Sequence, residues 1–345
     1  MSNEIVAVKI DGKKYTGWES VSINKSMDAV CGSFDIGLVN NALTKGIFPG
    51  QNVVVEIDDE PIITGFIDKR VRKIDENSKT MSISGRDKTG DLVDCAAVKS
   101  SGSWKNIGLL QLCTDVCKPF GIKCFVGSGA SIGKPFASVA IQDGESAFAL
   151  IERLCRQRSL IPLANSSGDL VLETPSSIVS ADSLSAGFNI KAINEEIDYS
   201  NRFSTYTVKA QNSGGGNPWT GATATGIKGT AKDTVIKRYR PLIMQSETKQ
   251  DNGSAKDRAS WEAVVRFGRS LNLSIDVKGW KQTSGALWKR NTLVDILHEE
   301  LGIDGTFMLI GTSYKLDANT GRTTTLTLRN KLALTPNKAG EIEVS

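Results

Sequence analysis

Between residues 49 and 94 apolar and polar side chains alternate in three short runs parted by turn-forming residues. Val53, Val55 and Ile57 carry the first run, residues 62–71 the second with Gly65 inside it, and residues 80–86 the third. In the third, Met81 and Ile83 alternate with Ser82 and Ser84. A two-residue period places apolar side chains on one face of a strand, so the spacing predicts three antiparallel strands. Asp75, Glu76, Asn77 and Ser78 supply the turn before the third. The same order returns near the C-terminus as Leu309, Ile310, Gly311, then Tyr314 and Leu316, a turn over 317–321, and residues 323–330. There Leu326 and Leu328 alternate with threonines. We read this as an internal duplication of a small β module.

The N-terminal stretch adds three more strands. Residues 5–10 lead into an Asp11-Gly12 hairpin turn, residues 15–23 place Trp18, Val21 and Ile23 for packing, and residues 31–39 alternate Phe34, Ile36 and Leu38. Six short strands before Cys95 suggest a barrel or sandwich, and closure of a sheet removes exposed edges. The pattern changes after Lys99. Residues 100–103 read as a linker, and a helix over 106–117 carries Ile107, Leu110, Cys113 and Cys117. A strand at 122–126 and a loop at 127–133 follow. A second helix takes Asp143 as its cap and Glu145 in its first turn, with an apolar stripe of Phe148, Ile151, Leu154 and Cys155. Arg153, Arg156 and Arg158 sit near its C-terminal end, and residues 160–164 and 169–173 read as a hairpin.

Strands resume over 190–212 around Phe203, Tyr206 and Val208. Residues 213–233, rich in Gly, Thr and Ala and holding Trp219, read as a long exposed loop or a segment that orders against a neighbour on assembly. A strand over 235–239 precedes a third helix from Ser254, with Ser254 and Asp257 as a capping box and Trp261, Val264, Val265 and Gly268 at helical spacing. The predicted class is α+β, mainly β. Its plan is a first β-barrel module at 1–99, an α+β insert at 103–175, a second β-barrel module at 190–334 that includes the 213–233 loop and a helix at 254–269, and a flexible tail at 335–345.

Composition narrows the classes. The 345 residues allow two or three domains, and 39% hydrophobic content is that of an ordinary globular chain. No apolar run approaches the roughly 20 residues that span a bilayer. The start lacks a basic segment followed by an apolar stretch, so folding in a cytoplasm is expected. A net charge of +4 gives no reason to expect a dedicated nucleic-acid binder. The cysteines 31, 95, 113, 117, 124 and 155 contain no Cys-x-x-Cys pair and read as reduced, buried small hydrophobes.

Candidate chemistry is sparse. Residues 221–228 miss the phosphate-binding loop, because Ile227 separates Gly226 from Lys228 and Gly229 follows. The single histidine, His298, lacks a metal-binding partner pattern and reads as a surface residue. Cys113 and Cys117 share one helical face as core packing, with no cofactor or metal implied. The acid pairs Asp58-Asp59, Glu195-Glu196 and Glu299-Glu300 read as turns and solvated ends. Lys69, Arg70, Arg72 and Lys73 form a basic cluster on the second strand of the first module. It is either a solvated strand face or a surface toward an anionic partner such as passing DNA.

Three segments carry a resemblance. Residues 84–95, SGRDKTGDLVDC, contain Gly85, Arg86, Asp87, Gly90 and Asp91 and resemble the signature of tail baseplate hub proteins from Mu-like contractile-tailed phages and prophages. Residues 142–146, with Glu145 and Ser146, then Phe148, Ile151, Arg153 and Leu154, resemble a helix of the same group. Arg258, Trp261 and Glu262, with Arg266 and Arg269, match its third helix. The last two segments are shared more widely among tail hub and late-control proteins.

The resemblance implies a structural protein, not an enzyme, without cofactor or small-molecule substrate. It implies a homotrimer with two similar β-barrels per chain, joining a sixfold tail tube to a threefold central spike around a DNA channel. The basic cluster then faces the lumen or a neighbouring subunit. Two other classes compete. A wall-degrading glycosidase needs facing carboxylates, and no separate lytic segment is visible. A β-barrel nucleic-acid module would bind DNA with steep salt dependence.

Overall fold

Asp11 and Gly12 both take positive φ, 45° and 82°, which is the twist that a two-residue turn needs to close a hairpin. They join β1 (Val6–Ile10) to β2 (Lys13–Tyr15). The computed structural model describes residues 5–39, 46–76, 78–210, 227–245 and 252–334. The strands that follow are β3 (Ser20–Ser26), β4 (Ser33–Val39), β5 (Asn52–Ile57), β6 (Glu60–Ile74) and β7 (Lys79–Asp87), and α1 (Gly90–Asp94) ends this stretch. The expected strand over 15–23 is broken at Gly17, whose φ is 83°, and the expected strand over 31–39 starts only at Ser33.

The middle of the chain holds β8 (Ser103–Ile107), α2 (Leu109–Cys117), β9 (Cys124–Val126), β10 (Phe136–Ala140), α3 (Ala147–Arg156), β11 (Ile161–Ala164) and β12 (Leu170–Glu173). Two helix starts differ from expectation. Asn106 sits in β8 with φ 47°, so α2 begins after Gly108, and its buried face is Leu109, Leu112, Cys113, Val116 and Cys117. The cap of α3 is Ser146 rather than Asp143. Its Oγ accepts from Ala149 N at 3.2 Å, and Glu145 lies before the first turn. The predicted hairpin at 160–173 is present as β11 and β12, paired antiparallel, and β9 joins β12 in parallel.

β13 (Leu184–Ser185), β14 (Ile190–Ile197), β15 (Thr205–Ala210), β16 (Ile227–Lys232), β17 (Pro241–Gln245), α4 (Asn252–Arg269), β18 (Leu271–Lys278), β19 (Thr292–His298), β20 (Ile303–Asp317) and β21 (Gly321–Asn330) complete the chain. Three expectations are corrected. Residues 227–232 of the supposed loop form a strand, because Ile227 and Gly229 pack inward beneath α4. Residues 235–239 are irregular, and the strand there is β17. α4 starts at Asn252, ahead of Ser254. Residues 211–226, including Trp219, and the tail from 335 lie outside the described residues, as does the Ser254 side chain.

The chain divides into two compact units, residues 1–193 with 274–328, and residues 194–273 with 329–345. The division runs through β14, β18 and β21. The main sheet follows the path β14-β18-β21-β20-β3-β4-β7-β6-β5-β1-β2, with β19 on β20 and β13 on β19. Among the described residues no pair joins its two ends. β20 and β3 splice the second meander onto the first, with Tyr314 opposite Ile23.

In the first unit, Val8, Ile23, Phe34, Ile36, Val55, Ile63 and Ile83 are buried in one cluster with Trp280 and Tyr314. A second cluster gathers Leu92, Leu112, Cys113, Leu150, Ile151 and Cys155. In the second unit, β16-β15-β17 form a separate sheet, and Tyr206, Val208, Ala255 and Ala259 make its core. α4 lies close upon β16 because Gly229 has no side chain: a Cβ there would come within 2.1 Å of the Ala255 backbone.

Candidate assembly interface

Residues 84–91 sit where β7 leaves the sheet and turns into α1. Gly85 pairs with Ile67 of β6 and with Phe34 of β4. A Cβ on it would lie 2.0 Å from the Phe66 carbonyl and 2.8 Å from the Phe34 ring, so glycine alone permits this approach. Arg86 forks from the strand. Its Nε donates to Asp68 at 3.0 Å, and its guanidinium takes both oxygens of Asp94, the shorter at 2.6 Å. That bond holds the Asp94 carboxyl below the usual range and raises Arg86. Asp87 is buried. It accepts from Gly32 N at 2.6 Å and Thr89 N at 3.0 Å, and also from the Thr89 hydroxyl. Burial pushes its carboxyl upward, against those hydrogen bonds. Gly90 and Asp91 then open α1.

The second motif segment meets the first through backbone. Cys95 O accepts from Ala147 N at 2.9 Å, and Ala97 N donates to Glu145 O at 3.0 Å. Glu145 grips Arg153 with two bonds of 2.7 and 2.9 Å, which lower its own pKa, and its carboxylate also takes the Gln142 amide. Residues fifty positions apart in sequence thus make one buttress from β7 through α1 to α3. The third segment belongs to the second unit. There Glu262 bridges Arg258 at 2.8 Å and Arg266 at 3.2 Å along α4, and Arg258 lies 4.6 Å from the centre of the Trp261 ring.

The basic cluster occupies the distal half of β6. Arg70 stacks 4.5 Å from the Phe48 ring centre and donates to the Ile47 carbonyl. Lys73 stands 4.0 Å from Asp75, and both are largely exposed. Lys69 and Arg72 project outward without an ion pair among the described residues.

Comparison with known proteins places this arrangement. Residues 5–87 match the N-terminal domain model of the Mu phage baseplate assembly protein GpP-like family, residues 89–174 the second domain of baseplate hub protein gp44-like proteins, and residues 251–337 the fourth domain of Mu phage baseplate assembly protein GpP. The chain is 34% identical over 316 residues to baseplate hub protein gp44 of Escherichia phage Mu, covering 90% of this chain and 83% of that one. This chain belongs to the Mu-type baseplate hub family. Its fold also matches the crystal structure of the 43 kDa tail protein of prophage MuSo2 from Shewanella oneidensis, with a TM-score of 0.86 and 34% identity over 96% of this chain and 99% of that one. A tail protein from Neisseria meningitidis MC58 shares the fold at a TM-score of 0.84 and 24% identity, over 97% of this chain and 99% of that one.

This hub protein is a structural component of a phage tail baseplate and not an enzyme. Two of its three acid pairs are held in turns, while Glu195 and Glu196, expected in a turn or solvated end, lie within β14. Asp58 and Asp59 form the β5-β6 turn with φ 48° and 65°, and bond to Lys281 and Lys14. Glu299 and Glu300 open a 3-10 turn. His298 ends β19 partly buried, with its Nδ1 unbonded, rather than lying on the surface. Cys95 is exposed, unlike the buried cysteine expected there, and all six thiols are free. Among the described residues no group of three His, Cys, Asp or Glu side chains is placed to hold a metal. No helix described is long and apolar enough to cross a membrane.

Two basic residues of this hub protein escaped the sequence reading. Lys25 and Arg290 border a cavity of about 270 Å³ together with Ile62, Ala164, Glu173 and Tyr314. Lys25 donates to the Ile62 carbonyl at 3.1 Å, and burial followed by the nearby Arg290 charge pushes its amine down to about 8. Arg290 donates to Ser26 O at 2.5 Å and to the Ala164 carbonyl. In the second unit, the buried pair Arg202 and Asp233 also went unseen, joined by bonds of 2.9 and 3.0 Å. No short-range pattern marks either set, because their partners lie far away in sequence.

Proposed function

We propose that this hub protein works as a homotrimer that joins the sixfold tail tube to the threefold central spike and encloses part of the path for DNA. One observation carries the reading. The meander β5-β6-β7 has strands of six, fifteen and nine residues, and β19-β20-β21 has seven, fifteen and ten. Two such meanders per chain give a trimer six similar faces, which is what a sixfold neighbour requires. Each meander with its flanking strands forms a small barrel-like module, over 1–99 and 190–334, around the insert at 103–175. Bulges at Val55/Glu56 and Ile67/Lys69 support that curvature in the first.

The work of such a hub is mechanical. Broad subunit contacts, rather than a reactive group, hold tube and spike through contraction. DNA passes without sequence-specific contacts, and assembly takes place in the host cytoplasm before the protein joins the virion. Light scattering behind a sizing column tests the trimer. A mass near three times the 37.1 kDa chain is expected, and a single-chain mass at every concentration would overturn it.

A further inference from the structure

β20 uses one of its edges twice. Residues 303–309 pair with β19, and Gly311 to Leu316 then pair antiparallel with β3. β6 has the same length but only the first half of this arrangement. Its residues 60–66 pair with β5, and Ile67 still exchanges backbone bonds with Gly50 and Gln51. Beyond Ile67 no strand takes over among the described residues. β7 covers the other edge of β6 as far as Ile74. Among the described residues, 68–74 therefore present a row of unpaired backbone donors and acceptors, which is a template for another strand. The segment holds Lys69, Arg70, Arg72 and Lys73, with Val71 45% and Ile74 72% exposed.

The sheet has a second unfilled edge. β14 ends the strand path, with no neighbour beyond it among the described residues. The order β14-β18-β21-β20-β19 repeats β3-β4-β7-β6-β5, so β14 holds in the second meander the place of β3 in the first. β3 fills the open half of β20. Among the described residues nothing fills the matching half of β6, from which β14 is separated by six strands of the path. The charges suit each other: β14 carries Glu195, partly exposed, and Glu196, exposed, near its C-terminal end.

Resting on the trimer reading above, we propose that β14 of a neighbouring copy adds to residues 68–74 of β6, repeating between chains the contact that β3 makes with β20 inside one. Antiparallel addition in the sense of β3 brings Glu195 and Glu196 of one copy against Lys69 and Arg70 of the next, with Arg72 at a diagonal position beside them. Backbone bonds give this contact its strength, and the charges fix its partner and direction.

Charge reversal on the full chain tests it. Lys69→Glu with Arg72→Glu, and separately Glu195→Lys with Glu196→Lys, should each raise the concentration at which the trimer dissociates by about tenfold or more. Combining all four substitutions should recover most of that loss. A photo-crosslinking residue at Ile74 gives a second reading that survives any misfolded variant, and peptide mapping should find it joined to residues 190–197 of another copy. A trimeric wild type with unchanged reversal variants, or with Ile74 crosslinks only elsewhere, overturns this contact and leaves the trimer standing. Crosslinking to added duplex DNA instead of protein overturns it in favour of a nucleic-acid face. A wild type that stays a single chain at every concentration overturns contact and trimer together.

Discussion

Arg290, two residues ahead of β19, donates to the carbonyl of Ser26 at the end of β3, 2.5 Å away and 264 positions earlier in the chain. Its other arm reaches the Ala164 carbonyl in β11. One guanidinium thus clamps three parts of the first unit. Arg290→Ala leaves two partly buried carbonyls without their donor and should cost about 2–4 kcal/mol. Arg290→Lys should recover only part of it, since an ammonium cannot fork to both. The urea midpoint at constant slope is the measurement.

Lys25 predicts a pH dependence. Its folded-state pKa, about 8, lies below its ordinary 10.5. Between these values the unfolded chain keeps a proton that the folded chain has released. Stability therefore rises with pH across that window, by at most about 1.4 kcal/mol per pH unit, and the full penalty is present below it. Lys25→Met should flatten the rise between pH 8 and 10 and stabilise the protein at pH 7. The gain is reduced because Ile62 O loses its donor. Denaturation midpoints of both proteins from pH 7 to 10 check this.

Gly85→Ala places a methyl group 2.0 Å from the Phe66 carbonyl and against the Phe34 ring. Neither the strand nor the buried ring can yield freely. A loss of roughly 2–4 kcal/mol is expected, read as a lower melting temperature. Gly12→Ala offers a control: nothing lies within 4 Å of its Cβ position, so only the strain of its φ of 82° is added.

In the second unit, Arg202 and Asp233 are 2% and 8% exposed. Arg202→Met strands a buried carboxylate and should cost about 3–5 kcal/mol. Pairing it with Asp233→Leu should cost clearly less, because no lone charge is left behind. A double-mutant cycle by chemical denaturation separates the two.

Much of the β framework was legible, because alternation survives wherever one face of a strand is buried. Met81 and Ile83 against Ser82 and Ser84 placed β7, and the repeat of Leu326 and Leu328 placed β21. Helix starts were harder to read. Asp143 and Ser146 are both good caps, and only the bridge of residues 95–97 to 145–147 selects Ser146. The run at 235–239 resembles a strand in composition, yet β17 beside it pairs with β15 instead. Of the candidate surface, the basic cluster could be listed residue by residue. Its open edge could not, since that depends on where β5 stops. The clamps of Arg290 and Arg202 leave no periodic trace at all.

The splice between β3 and β20 also sets a timetable. Ile23 finds its partner Tyr314 only after 291 further residues have been made. At roughly 5–20 residues per second, β3 waits about 15–60 s on the ribosome with one edge bare. Throughout that interval the nascent chain displays the kind of edge that invites a wrong strand. A newly made copy is thus most exposed to mispairing before its second meander arrives, and the late strands act as its closing guard.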